Sequence, residues 1–295
     1  MEERRKELLI IMPAYNEAAC IGGFLERLEA PEIAGIADIL VIDDGSTDDT
    51  SRIVREHGHT IITHVYNMGY GAALLSGYKY AVRRRYQYVI QIDSDGQHDP
   101  CNILPLYEQL RGSDVDGERP DLVLGSRFLE GGQSFPISRL KKITIDVFRK
   151  LIRLTTGKTI TDPTTGLQGL GSRALLYYSA YSHFDDQYPD TNMLIQMLLL
   201  GYQVEEIPAV MHAREAGTSM HSGLKPAIYM VHMFFSICAV LLQGLALKAE
   251  ARGRKRIERV CCETEDGGQE ICGGKRYASF AEILPDAAER SGPLR

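Results

Sequence analysis

No Cys-x-x-Cys pair occurs in this chain, and no histidine follows its cysteines at zinc-finger spacing. The six cysteines (Cys20, Cys101, Cys238, Cys261, Cys262 and Cys272) are scattered apart from one adjacent pair, so they read as reduced thiols. A metal site in the tail from Cys261, Cys262 and Cys272 is the alternative. Positive charge is not in excess: the net charge is −6 and the pI near 5.8, which argues against a general nucleic-acid binder. Tryptophan is absent, which says little about function. A secretory leader is also missing from the reading, because the apolar run Leu8–Met12 is short and Pro13 ends it. The region that follows is therefore expected to stay in the cytosol.

What is present is enough for a large core. The 295 residues are 44% apolar, which suits one large α/β domain or one domain with appendages. Strands are expected at Leu8–Met12, Ile39–Asp43, Thr60–Val65, Tyr88–Ile92 and Leu122–Leu124. Helices are expected at Glu17–Leu28, Thr47–Glu56, Ala72–Val82 and Ile103–Leu110. The strands are continuous β-branched runs rather than alternating ones. That pattern suits a mostly parallel sheet covered by helices on both faces, with right-handed crossovers. Beyond residue 126 the pattern is less regular: helices near Lys141–Leu154, Arg173–Ser179 and Asn192–Leu200, and a strand at Val204–Ile207.

In such a sheet, ligands bind beyond the carboxyl ends of the strands. Three of those ends carry Pro13-Ala14-Tyr15-Asn16-Glu17, Asp43-Asp44-Gly45-Ser46-Thr47-Asp48 and Asp93-Ser94-Asp95-Gly96-Gln97-His98. Asp93 and Asp95, one residue apart in extended chain, can both turn toward one hard divalent cation, Mg²⁺ or Mn²⁺. Such an ion would stabilise a diphosphate leaving group. A calcium loop is excluded by spacing, since Gly96 is fourth rather than sixth and Leu104 stands at the twelfth position. Asp43, at a strand end, has a carboxylate able to accept hydrogen bonds from a nucleobase or ribose. Ser46 and Asp49 match a capping box, and Asp48 and Asp49 read as structural.

These ordered motifs together resemble the inverting family 2 glycosyltransferases of the GT-A fold, over about residues 8–220. The resemblance implies that Pro13, Tyr15, Glu17 and Asp43 line the nucleotide pocket. It implies that Asp93 and Asp95, with Ser94 between them, hold the metal against the donor diphosphate, and that Gly69 opens a helix beside the nucleotide. Gln97-His98-Asp99-Pro100, Gly125-Ser126-Arg127-Phe128 and Arg139 are similar to the dolichyl- and polyprenyl-phosphate sugar transferases within that family. There, positions matching Arg127 and Arg139 bind the lipid phosphate, for which a guanidinium fork is suited. Gln97 is expected at the metal or the acceptor. Asp162-Pro163-Thr164-Thr165-Gly166 resembles the family's next acidic turn, and Arg214-Glu215-Ala216-Gly217-Thr218-Ser219 its flexible stretch over the diphosphate. Met220-His221 stands where many polyprenyl-phosphate enzymes have lysine after that serine. Asp190 aligns with the general base of members that act on sugar hydroxyls.

One apolar stretch remains, residues 228–247, uncharged and about 30 Å long as a helix. Lys248, Arg252, Arg254, Lys255, Arg256 and Arg259 follow it, on the wrong side for a single crossing from the cytosol. A helix lying in the membrane interface, or against a small membrane-protein partner, is the expectation; a core helix is the alternative. The expected organisation is a transferase domain at 1–222, an interfacial helix with a basic flank at 223–259, and a flexible tail at 260–295.

The reading is metal-dependent transfer of a sugar from a UDP- or GDP-sugar to a polyprenyl phosphate at the inner membrane face, with no nucleic acid involved. Transfer to a saccharide hydroxyl, with Asp190 as base, is the rival. A nucleotidyltransferase is less apt, because the loop after the first strand is acidic and lacks glycine. A non-catalytic nucleotide-sugar binder is the remaining alternative.

Overall fold

The computed structural model describes residues 6–112, 119–133, 135, 137, 139–180, 185, 189, 191–213, 233 and 235–242. The chain divides into a unit of residues 1–247, which holds all of these, and a unit of residues 248–295. Among the described residues, seven strands form one sheet in the order β3-β2-β1-β4-β6-β5-β7. They are β1 (Leu8–Ala14), β2 (Ala37–Asp43), β3 (Thr60–Thr63), β4 (Tyr88–Gln91), β5 (Leu122–Ser126), β6 (Gln168–Leu170) and β7 (Val204–Pro208). Only β6 runs against its neighbours, pairing antiparallel with both β4 and β5. The remaining pairs are parallel, as the β-branched runs implied.

Side chains alternate across the sheet, so β1 feeds two cores. Leu9 and Ile11 pack with Leu40, Ile42 and Val89 beneath α4 (Tyr70–Arg83), α6 (Arg139–Thr156), α7 (Ser172–Ser179) and α8 (Thr191–Leu199). Leu8, Ile10 and Met12 pack on the other face beneath α1 (Ile21–Leu28), α2 (Pro31–Ala34), α3 (Thr50–Glu56) and α5 (Ile103–Arg111). All seven residues of β1 are buried. Each such aliphatic side chain contributes roughly 1.5–3 kcal/mol on leaving water, which fixes the central strands and hence their ends.

Several boundaries differ from expectation for local reasons. The third strand stops at Thr63 because its last ladder bond runs from the His64 N–H to the Asp43 carbonyl, 2.9 Å. Helix α3 starts at Thr50, not Thr47, and Ser46 is not its cap. The Ser46 hydroxyl instead accepts from the Asn16 N–H at 2.9 Å, while Asp48 receives the Thr50 N–H at 3.0 Å. Strand β6 was not expected: Gln-Gly-Leu has no β-branched run, and its strand state comes from pairing on both sides. A β-carbon at Gly169 would stand 2.8 Å from Leu110 Cδ1, so glycine lets that side chain pack closely on the strand.

Among the described residues, no helix is long and apolar enough to cross a membrane. Of the stretch 228–247, only Met233 and 235–242 are described, and 235–242 is helical. Met233, Ile237 and Val240 pack into the first core, while Phe235 and Leu242 are exposed. The membrane-interface reading of that stretch is thus not confirmed, and its inner face behaves as a core helix.

Candidate active site

The register places Ala14 beside Asp43 and Ile11 beside Gln91, so β1 and β2 end side by side, while β4 stops three residues short of the end of β1 and its loop leaves from the same edge of the sheet. Pro13 lies inside β1, where a missing N–H would normally break a ladder. Ile11 accepts from the Ile92 N–H, so odd residues of β1 face β4, and β4 ends at Gln91 before it reaches Pro13. The proline thus costs no strand bond. Its carbonyl accepts from the buried Ser94 hydroxyl at 2.7 Å, which ties the Asp93–Asp95 loop to the end of β1.

The first two loops are stitched together. Asn16, at φ 55, accepts from the Thr47 N–H at 2.8 Å through its side chain. The Glu17 N–H donates to Thr50 Oγ1 at 2.9 Å, and the Ala18 N–H to Asp48 at 3.1 Å. Burial alone would raise the Asp48 pKa. The hydrogen bonds from Thr50 and Ala18 outweigh it and hold the carboxyl below its ordinary value. Tyr15 projects from this stitched rim and is exposed.

Asp43 is buried at the floor. One carboxylate oxygen accepts from the Ser46 N–H at 2.9 Å and the other from the Ser51 hydroxyl. Each oxygen retains a further lone pair. Asp44, next to it, was read only as part of the motif. It is a buried organiser: it accepts from the Met68 and Gly69 N–H groups, both at 2.8 Å, and meets His64 Nδ1 at 2.7 Å. Gly69 then caps α4 at φ 102, a conformation that suits glycine. Gly45 at φ 73 sits so close to Tyr66 that a β-carbon would be 2.6 Å from its carbonyl carbon.

Asp93 and Asp95 lie partly exposed on the loop after β4. Asp93 accepts from Tyr70 Oη at 2.9 Å, and Asp95 from the Gln97 N–H at 3.0 Å. His98 Nε2 lies 3.7 Å from Asp93, and both ring nitrogens are buried without a hydrogen-bond partner. Gly166, at the end of the Asp162–Gly166 turn, presses on Asp93: a β-carbon there would fall on Oδ2 and lie 2.9 Å from Cγ. The Asp93 carboxylate thus occupies a cradle that only glycine leaves open. Asp93 in this cradle, with Asp95 two residues on, offers the oxygen donors that Mg²⁺ or Mn²⁺ prefer. Among the described residues no third His, Cys, Asp or Glu completes a protein-only cage.

Gln97 is latched to the strand-like stretch that leads toward Arg214. Its carbonyl accepts from the His212 N–H at 2.7 Å, and Asp99 meets His212 Nε2 at 2.8 Å and Arg27 at 2.8 Å. Burial pushes the Asp99 carboxyl up, but the Cys101 N–H, His212 and Arg27 bring it down to about 2.

Arg127 and Arg139 are not brought together in kind. Arg127 is buried and forks onto Asp162 at 2.6 and 2.7 Å, with Thr164 Oγ1 at 3.1 Å. A lipid phosphate would reach this fork only by displacing Asp162. Arg139 is exposed at the first residue of α6. Thr191, the first residue of α8, donates to the Pro163 carbonyl at 3.3 Å, so α8 begins against the turn that holds Asp93. Asp190 and Arg214 lie outside the described residues. Tyr70, His98 and Gly166 were missed as site residues, although each sits inside or beside a motif already singled out.

The family model for glycosyl transferase family 2 matches residues 9–177, more than half the chain. The chain belongs to that family. It is a glycosyltransferase with the GT-A fold. It is 29% identical over 226 residues to the undecaprenyl-phosphate mannosyltransferase of Micrococcus luteus, covering 73% of this chain and 88% of that protein. It is 28% identical over 236 residues to the polyprenol monophosphomannose synthase of Mycolicibacterium smegmatis, covering 76% and 84%. Among solved structures, glucosyl-3-phosphoglycerate synthase from Mycobacterium tuberculosis, in complex with Mn²⁺ and UDP-glucose, superposes with a TM-score of 0.55 at 19% identity, covering 79% of each chain. For this glycosyltransferase, the strand-end loops described above are the part of the fold where a donor would lie.

Proposed function

We propose that this glycosyltransferase moves a sugar, with inversion, from a nucleoside-diphosphate sugar to a polyprenyl phosphate at the cytosolic membrane surface. The observation that carries the reading is the placement of Asp43 at the end of β2 and of Asp93 and Asp95 just after β4, on either side of β1, with Gly166 shaping the Asp93 cradle. The names of the M. luteus and M. smegmatis relatives support the acceptor class.

Asp43 and the stitched rim around Tyr15 and Glu17 would receive the nucleoside, and Gly69 the turn beside it. Asp93 and Asp95 would hold Mg²⁺ or Mn²⁺, whose chemistry when bound is to neutralise charge on the departing diphosphate. Gln97, whose N–H donates to Asp95, would stay beside the metal ligands, and Arg214 would add positive charge at the diphosphate. Arg139, exposed, would bind the acceptor phosphate. Arg127 would serve the acceptor by fixing the Asp162–Gly166 turn, and directly only where Asp162 yields. A phosphate monoester is already anionic at neutral pH, so it attacks the anomeric carbon without a base. Asp190 would then orient rather than abstract a proton.

The test is nucleoside diphosphate release from UDP- and GDP-sugars with Mg²⁺ or Mn²⁺, with and without a short polyprenyl phosphate. Release that depends on the lipid establishes the reaction and identifies the donor. Release indifferent to the lipid overturns the acceptor and makes Asp190 the base to test.

A further inference from the structure

Helix α6 is amphipathic twice over. Its inner face sinks Ile145, Phe148 and Ile152 into the protein. Its outer face carries a second apolar ridge, with Ile143 61%, Val147 49% and Leu154 84% exposed. At about 100° per residue these three fall within about 40° of one another, opposite the core. A solvated helix face normally carries polar residues there. Lys150 adjoins the ridge, and Arg139, Lys142 and Arg153 run along one flank, all exposed.

The charge of the helix is as unusual as its ridge. Six Lys or Arg stand against the single Asp146, a net of +5 on a chain of net −6. Asp146 itself is paired with Arg149 at 3.1 Å. The helical stretch 235–242 packs its inner residues into the same core as Phe148 and Ile152, so it lies on the same side of the sheet. It exposes Phe235 at 65% and Leu242 at 68%, seven residues apart on one helical face.

We propose that the outer face of α6 is a docking surface for an anionic lipid bilayer. The apolar ridge enters the headgroup boundary while the basic flank meets lipid phosphates, as expected of a helix lying in an interface. Charge complementarity selects this occupant: a second copy of the same helix would bring +5 against +5. Resting on the reading of Arg139 as acceptor ligand, docking sets the first residue of α6 at the depth where a polyprenyl phosphate presents its headgroup.

The full chain would be floated with vesicles of phosphatidylcholine alone and of equal parts phosphatidylcholine and phosphatidylglycerol. The expected result is binding to the anionic vesicles that weakens as salt rises. Each basic residue near such a surface is worth about fivefold in binding, so K150Q/R153Q should bind about thirtyfold more weakly. V147S/L154S removes two ridge side chains and should lose about tenfold or more. Both variants alter exposed positions, so circular dichroism should match the wild type. Both should retain turnover on a short, soluble polyprenyl phosphate while losing it on a long-chain acceptor in vesicles. Wild-type binding indifferent to anionic lipid overturns the proposal, as do variants that float as well as the wild type. A wild-type dimer that V147S/L154S dissociates with vesicle binding unchanged assigns the ridge to a second copy and also overturns it. Flotation needs no turnover, so failure of the acceptor reading and failure of this one are told apart.

Discussion

Replacing Gly166 with alanine tests the metal cradle at its tightest point. The backbone at Gly166 is not in the left-handed region, so alanine adds no torsional strain there. The Gly166 carbonyl is also anchored by Gln91 Nε2 at 3.1 Å, so the turn has little freedom to retreat. The new methyl would fall on Asp93 Oδ2, 2.9 Å from Cγ and 3.0 Å from Oδ1, where ordinary contact begins at 3.4 Å. The carboxylate must therefore swing by about 1 Å, pulling against Tyr70. A displacement of that size at a reacting centre costs about a hundredfold in rate. Disturbing the surroundings of a metal ligand costs about 10- to 100-fold in metal affinity. Stability should suffer less, by about 1 kcal/mol, because Asp93 is partly exposed and can rotate toward solvent. The assay is nucleoside diphosphate release at saturating donor with Mn²⁺ titrated, beside a thermal melt. G166A should fold, lose about a hundredfold in kcat/KM, and shift its Mn²⁺ midpoint upward. A folded G166A with wild-type kcat/KM and midpoint would refute the assignment of Asp93 as ligand.

Three further outcomes are expected. Asp190→Asn should lose less than about tenfold in kcat on a phosphate acceptor, whereas loss of a true base costs about 10²- to 10⁴-fold; the measurement is kcat at saturating donor and acceptor. Gly45→Ala combines φ 73 with a β-carbon against Tyr66 backbone, so it should destabilise by about 2–4 kcal/mol, and a melting temperature within two degrees of wild type would count against it. Asp99 has a folded pKa of about 2 against an ordinary 3.8, so its contribution is present above pH 3.8 and is lost as pH falls toward 2. Urea unfolding of wild type and D99N should therefore differ by about 1–2 kcal/mol at neutral pH, discounted for partial exposure, and converge in that acid window.

Much of the fold was legible because the central strands are buried on both faces and must be apolar along their whole length. Leu8–Met12, Ile39–Asp43 and Tyr88–Ile92 each became a parallel strand within two residues of the expected ends. Strand β6 was not legible, because nothing in Gln168-Gly169-Leu170 favours a strand until β4 and β5 flank it. The start of α3 was misplaced for a related reason. Ser46 has the right type and spacing for a cap, yet its hydroxyl is taken by Asn16, thirty residues away, and spacing along one segment carries no sign of that.

The site shows the same division between what a residue is and what neutralises it. Asp93 and Asp95 could be singled out because two carboxylates so close in sequence, without a basic neighbour, have a functional rationale. Gly166 could not be tied to Asp93, since the contact joins the loop after β4 to a turn more than seventy residues later. Arg127 and Arg139 looked alike as sequence, two guanidinium groups after the same strand. In the fold they differ by an environment: Arg139 faces solvent, while Arg127 is buried on Asp162. A buried pair with one partner removed typically loses 3–5 kcal/mol, because the survivor is left charged and dry. An arginine held that way has its energy committed to the fold, and Arg139 is free to spend its own on a ligand. Both can matter to catalysis, but only for Arg139 does the structure leave a phosphate an open approach.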